Sequence, residues 1–186
     1  MKNYTIEQEK HKLLSQIRII DDFLPDYDFE KFKVEYKFES MEETMRDGSY
    51  IGKDNEFPKL GESITIHANI QLQKINYGKI VKTDTQVLIV SDVNSPFTES
   101  RHCDDTKYSK NGYTLSYHWM GVDNAGGTHF FLDFQESTPL LSIPFKQNRL
   151  VVFPARIPHQ GYANQNYAYK SKRAVYTLFS VLEDFT

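Results

Sequence analysis

Apolar residues in this chain come in short runs broken by turn residues, and that rhythm sets the expected elements. Residues 1 to 16 are polar apart from a few positions such as Leu13 and Leu14, which fits a short helix or a frayed lead-in. Ile17-Arg18-Ile19-Ile20 reads as a strand, and Asp21-Asp22-Phe23-Leu24-Pro25 turns out of it. From Pro25-Asp26 the spacing of Phe29, Phe32, Lys33 and Tyr36 predicts a helix with its aromatics on one core-facing side. Residues 39 to 62 hold Gly48, Gly52, Pro58 and Gly61 among charges and read as a long loop. Ile64 to Leu72 is apolar at every even position, the pattern of a half-buried strand with His67 on its wet face. Thr85 to Val93 continues as strand and ends at the turn signal Asn94-Ser95-Pro96-Phe97. Five more strands are expected at 113–120, 128–134, 139–145, 149–153 and 174–182, with Gly126-Gly127 as a tight hairpin.

Many short strands with little helix point to a mainly β protein, a double-stranded β-helix (jelly roll) with a helical N-terminal flank. The 186 residues are expected to form one domain, with 1–62 as flank and loop and 63–186 as the jelly-roll core. Aromatic residues at 14%, including 12 Tyr and 13 Phe, favour a β-rich fold over a helical bundle. The net charge of −3 offers no field for nucleic acid or an anionic membrane, and Lys170-Ser171-Lys172-Arg173 is a short basic turn. Cys103 is the single cysteine, so no internal disulfide forms, and a reducing cytoplasm is the expected compartment. Residues 1 to 5 carry no apolar signal core, and no run reaches membrane-spanning length.

Chemistry gathers between residues 102 and 173. In His102-Cys103-Asp104 the first and third residues point to one side of an extended chain, so both can reach one ion while Cys103 faces away. The triplet alone means little: 6 His and 13 Asp in 186 residues give roughly 0.4 such triplets by chance. A third ligand must come from a distant strand folded back, and Pro158-His159 follows the apolar segment Arg149-Leu150-Val151-Val152-Phe153-Pro154. Two imidazoles and one carboxylate on one face would leave iron(II) with open positions for catalysis. Arg173 then heads the last apolar run, Ala174 to Phe179.

This ordered set of His102-x-Asp104, Gly126-Gly127 before a strand, Phe153-Pro154 leading to His159, then Arg173, resembles the 2-oxoglutarate/Fe(II)-dependent oxygenases, most closely their prolyl-hydroxylase-like branch. The likeness covers roughly residues 85 to 186, with a weaker echo at Ile17 to Leu24. It implies Fe(II) on His102, Asp104 and His159, with 2-oxoglutarate and dioxygen as co-substrates and ascorbate as a reductant. It also implies oxidative decarboxylation to succinate and CO2, coupled to hydroxylation of an unactivated C–H bond. Relatives that halogenate carry a small residue at the carboxylate position, so Asp104 favours hydroxylation. Arg173 is the expected partner of the far carboxylate of 2-oxoglutarate, which a planar guanidinium can grip through two parallel bonds. Some relatives place a Ser two residues beyond this Arg, where this chain has Val175. The second donor is then sought on strand 113–120, whose polar face is Thr114, Ser116 and His118. Relatives use a Tyr there, and both Tyr117 and His118 fall near the match. Alternation sets Thr177 on the side of Arg173, as a pocket wall or as core.

The expected substrate is a peptide or protein residue such as proline. Competing readings are a free amino acid or small metabolite, and a jelly-roll binding or structural module without redox activity. Cupins begin with H-x-H, and Asp104 argues against them. Phosphate loops, H-E-x-x-H, G-x-S-x-G and C-x-x-C do not occur in the sequence. Specificity is expected in loops 39–62 and 94–112; oligomeric state has no sequence signature here.

Overall fold

A computed structural model describes residues 5–36, 49–53, 58–92, 101–104, 112–163 and 172–183, with backbone alone for 49–53, 58, 84–92, 163 and 172. The elements are α1 (Ile6–Leu14), β1 (Arg18–Ile20), α2 (Asp26–Glu35), β2 (Ser49–Lys53), α3 (Pro58–Lys74), β3 (Lys79–Asp92), β4 (Gly112–Gly121), β5 (Gly126–Phe130), β6 (Leu141–Pro144), β7 (Arg149–Pro154), β8 (His159–Ala163) and β9 (Lys172–Glu183). A six-stranded sheet runs β1-β7-β4-β9-β3-β2 and a three-stranded sheet runs β6-β5-β8, with every pairing antiparallel. This is the expected jelly roll with a helical flank. Among the described residues no helix is long and apolar enough to cross a membrane.

Two apolar layers follow from strand alternation. On one face of the larger sheet Leu115, Tyr117, Trp119, Leu150, Val152, Tyr176 and Leu178 pack against α2 and α3. On the other, Val151 and Phe153 meet Phe130 and Ile143 of the smaller sheet, with Ile17 and Ile157. A buried side chain helps tie the N-terminal flank to this core. Asn148 accepts from the Leu24 N–H (2.9 Å) and the Tyr117 hydroxyl (3.1 Å), and it donates to the Leu24 carbonyl (2.9 Å). All three partners would otherwise be buried polar groups with no water to bond.

Residues 64 to 72 are helix, not strand. Leu60, Ile64, Ala68 and Leu72 are all fully buried at a spacing of four, whereas Ile66 is 51% and Ile70 44% exposed. A helical stripe with that spacing is a subset of the even positions, so apparent alternation concealed it. His67 accordingly is not simply solvated: it joins α3 to α2 through Asp28 at 3.3 Å and meets the Phe23 ring edge-on. The 39–62 segment, read as a loop, contains β2 and the start of α3; its remaining residues lie outside those described, as does most of 94–112. The strand expected at 128–134 ends at Phe130, and the one at 139–145 is confined to Leu141–Pro144.

Gly126-Gly127 is not the hairpin. The turn lies earlier, with Asn124 at φ 63° and Ala125 N–H bonded to the Val122 carbonyl at 3.1 Å, and both glycines belong to β5. Gly127 is there because the neighbouring chain is too close: a Cβ would strike the Ile143 carbonyl oxygen and sit 2.8 Å from the Pro144 Cα. Backbone cannot yield as a side-chain tip can. Gly127→Ala is therefore expected to cost about 2 kcal/mol or more and to lower the thermal midpoint by at least roughly 4 °C, measured by calorimetry beside Gly126→Ala.

Candidate metal centre and adjoining cavity

The centre is assembled by backbone pairing. Residues 101–104 lie beside β8, and His102 and His159 exchange both backbone bonds, at 3.0 and 2.9 Å. The Asp104 N–H is held by the Ala155 carbonyl at 3.0 Å. His102 and Asp104, two residues apart in extended chain, then face the same side, and His159 meets them from the paired strand. The His102 Nε2 lies 3.6 Å from Asp104 Oδ1, and the His159 Nε2 lies 3.5 Å from Asp104 Oδ2. One ligand atom from each residue falls within 4.8 Å of the others.

The donor set fits a divalent metal. His159 is buried among Phe130 and Phe153, and its Nδ1 faces the Ile157 carbonyl at 2.9 Å. A carbonyl can only accept, so Nδ1 carries the proton and Nε2 presents its lone pair. Burial raises the Asp104 pKa, but the His102 ring, the electrostatic pull of the His159 ring and the Thr114 hydroxyl together outweigh it and leave the carboxyl below its ordinary value. Asp104 is thus poised as an anion between two imidazoles. Cys103 points elsewhere, its thiol donating to the Arg156 carbonyl at 3.0 Å. Burial first, then the Asp104 charge, raises its pKa and keeps it a thiol.

A cavity of about 250 Å³ opens from the triad between the sheets. Thr114, Ser116 and His118 form its β4 wall; Arg173, Val175, Thr177 and Phe179 form its β9 wall. Ser116 and Thr177 stand directly opposite across the two strands. Thr114 contacts Asp104 and His118 lies toward Arg173; at about 3.3 Å per residue the two ends of the β4 wall are roughly 13 Å apart. The Arg173 Nη1 donates to the carbonyls of Gly127 (3.3 Å) and Tyr162 (3.1 Å). Gly161 leaves space for the same guanidinium, since a Cβ there would lie 3.2 Å from Nη2.

The expected site residues separate cleanly. His102, Asp104, His159, His118, Thr177 and Arg173 all line one cavity. Tyr117 does not: it is fully buried on the opposite face of β4, with its hydroxyl on Asn148. Its alternation with Thr114, Ser116 and His118 settles which of the two residues fits the pocket. Sequence reasoning missed the Thr114 contact with Asp104 and the small residues Gly127 and Gly161 around Arg173. Thr114's place on the polar face of β4 was a usable signal; an isolated glycine in Gln160-Gly161-Tyr162 was not.

No family model matches the sequence, and no curated protein matches it. Solved structures do match. A prolyl hydroxylase from Trichoplax adhaerens, in complex with a hypoxia inducible factor oxygen degradation domain peptide fragment, aligns over 97% of this chain and 94% of its own. The TM-score is 0.58 and the identity 14%. The non-heme alpha ketoglutarate dependent carbocyclase SnoK from nogalamycin biosynthesis aligns over 96% and 84%, at TM-score 0.61 and 12% identity. The epimerase SnoN from the same biosynthesis, also alpha ketoglutarate dependent, aligns over 92% and 80%, at 0.63 and 10%. The chain has the fold of the 2-oxoglutarate-dependent non-heme oxygenases.

His118 sets a pH dependence on stability. Its burial, then the charges of Arg173 and Arg149, push its pKa down to about 3, against an opposing pull from Asp21. The folded chain therefore holds it neutral while the unfolded chain takes up a proton below about 6.5. Stability from this group is complete above the unfolded value and is lost as pH falls from about 6.5 toward 3. Replacing it, as His118→Gln, should flatten the fall in thermal midpoint between pH 6.5 and pH 4, measured against the native chain in the same buffers.

Proposed function

We propose that the protein is an Fe(II)- and 2-oxoglutarate-dependent dioxygenase that hydroxylates an unactivated C–H bond. The observation that carries this is one cavity with two imidazoles and a carboxylate gathered at one end and a guanidinium at the other. A purely structural jelly roll has no need of polar groups there, since burying them costs free energy unless they are paired.

His102, Asp104 and His159 would hold the iron, leaving its remaining positions free. When bound, iron supplies the redox chemistry: dioxygen and 2-oxoglutarate become succinate and CO2, and one oxygen atom enters the substrate C–H bond as hydroxyl. The chain's own residues do the rest. Arg173 grips the far carboxylate of 2-oxoglutarate from a place fixed by the Gly127 and Tyr162 carbonyls. His118 is neutral, and its Nδ1 accepts the Lys146 N–H at 3.4 Å, so the proton sits on Nε2 as a second donor for that carboxylate. Its stacking on Phe145, 4.9 Å between ring centroids and 10° apart in plane, holds the ring in place. Thr177 adds a hydroxyl on the same strand face as Arg173, opposite Ser116 along the cavity. Phe145, Phe153, Val175 and Phe179 exclude water from the space between.

For the substrate, a peptide or protein residue such as proline is the leading reading, supported by the peptide-bound prolyl hydroxylase that matches nearly the whole chain. A small metabolite is the second reading, supported by the SnoK and SnoN structures at TM-scores of 0.61 and 0.63.

The test is succinate release on addition of Fe(II), 2-oxoglutarate and dioxygen, followed by a screen of prolyl peptides and small metabolites. His102→Ala, Asp104→Ala and His159→Ala should each abolish turnover. Arg173→Ala should weaken 2-oxoglutarate about 30-fold or more, the effect of losing a desolvated charge partner. His118→Phe should weaken it only about 3- to 10-fold, as fits one neutral hydrogen bond. Succinate release that survives the triad substitutions, or never occurs in the native chain, would refute the proposal.

A further inference from the structure

We infer that Thr114 is a positioning residue that restricts Asp104 to one coordinating oxygen, so that the metal keeps the full number of open positions. This rests on the metal reading of the His102, Asp104 and His159 set. Thr114 is 2% exposed on the cavity face of β4, and its Oγ1 donates to Asp104 Oδ2. The strand pairing leaves the hydroxyl little freedom. Thr114 sits opposite Phe153 on β7 and Phe179 on β9, so both flanks of its side chain are occupied by rings.

The consequence is one of counting lone pairs. An ionised carboxylate can bind a metal through one oxygen or through both. A hydroxyl proton on Oδ2 competes with a cation for that oxygen and leaves Oδ1, the atom nearer His102, as the donor. Two imidazoles and one carboxylate oxygen would take three positions on the metal and leave the rest open for co-substrates. A second carboxylate oxygen would occupy one of those open positions. Thr114 thereby acts on reactivity through Asp104 without touching substrate.

The experiment uses the whole 186-residue chain and replaces the hydroxyl and the methyl separately. Thr114→Val keeps the shape and removes the donor; Thr114→Ser keeps the donor and removes the methyl. Mn(II) titration by electron paramagnetic resonance gives affinity, and the visible absorption of the Co(II) form reports coordination number, falling in intensity as a further oxygen binds. Thr114→Val is expected to weaken Mn(II) about 10- to 100-fold, the range for lost outer-shell partners, and to dim the Co(II) bands. Thr114→Ser is expected to restore both while melting at a lower temperature than Thr114→Val. The crossing of the two orders separates positioning from packing. Native-like Mn(II) affinity and Co(II) bands in Thr114→Val, or losses in both variants that merely follow melting temperature, would overturn the inference and leave the proposed oxygenase standing. A native chain that binds neither Mn(II) nor Co(II) would overturn both.

Discussion

Everything at the candidate centre depends on a single antiparallel bridge, the two backbone bonds exchanged by His102 and His159. Side chains of residues far apart in sequence meet only where backbones hold them in register, and strand pairing supplies that register at a spacing of about 5 Å. One step of slippage in residues 101–104 would turn His102 and Asp104 outward and bring Cys103 to the cavity. The bond from Asp104 N–H to the Ala155 carbonyl prevents that slip, because it fixes the far end of the same short segment. The bridge also sets the segment alongside β8, on the side away from β5.

Given that frame, charge is arranged along the cavity with opposite signs at its ends. Asp104 is anionic at one end and Arg173 cationic at the other, with neutral hydroxyls between them. A second cation close to Arg173 would raise the cost of burying it, and His118 avoids this by remaining neutral. The result suits a molecule with a metal-binding group at one end and a carboxylate at the other. It also explains why a histidine can stand beside an arginine here: burial removes the proton first, and the two nearby guanidinium groups keep it off.

Much of this was legible in the sequence because strand alternation is strict. The positions of His102, Asp104, His118, Arg173 and Thr177 on cavity-facing sides follow from counting by two along the extended residues 102–104, the strand at 113–120, and the strand at 174–182 headed by Arg173. Residues 64 to 72 defeated the same counting, since a buried stripe at Leu60, Ile64, Ala68 and Leu72 has a period that contains the strand period. Strand β8 escaped notice because His159-Gln160-Gly161-Tyr162-Ala163 has no apolar alternation; its place is set by β5 and by residues 101–104 on its two sides. Gly126-Gly127 was misassigned because glycine marks both tight turns and close backbone approaches, and only the position of the Ile143 carbonyl distinguishes them.

An edge segment joined to its sheet at one bridge is a weak support for a ligand pair, and the residue just before it supplies what the bridge lacks. Arg101 donates to the carbonyls of Asp133, Phe134 and Glu136, at 3.4, 2.9 and 2.6 Å. Its guanidinium lies 3.5 Å above the Phe131 ring. Those residues follow β5 directly, and Phe131 N–H bonds the Pro158 carbonyl beside His159. Arg101 therefore fastens the His102 end of the segment to the same stretch of chain that backs His159. Both ends of the ligand pair are then held, Asp104 by Ala155 and His102 through Arg101. The irregular residues 131–136 have a structural reason to leave the strand pattern: their turned carbonyls form the seat for that guanidinium, which a regular strand could not offer to one side chain.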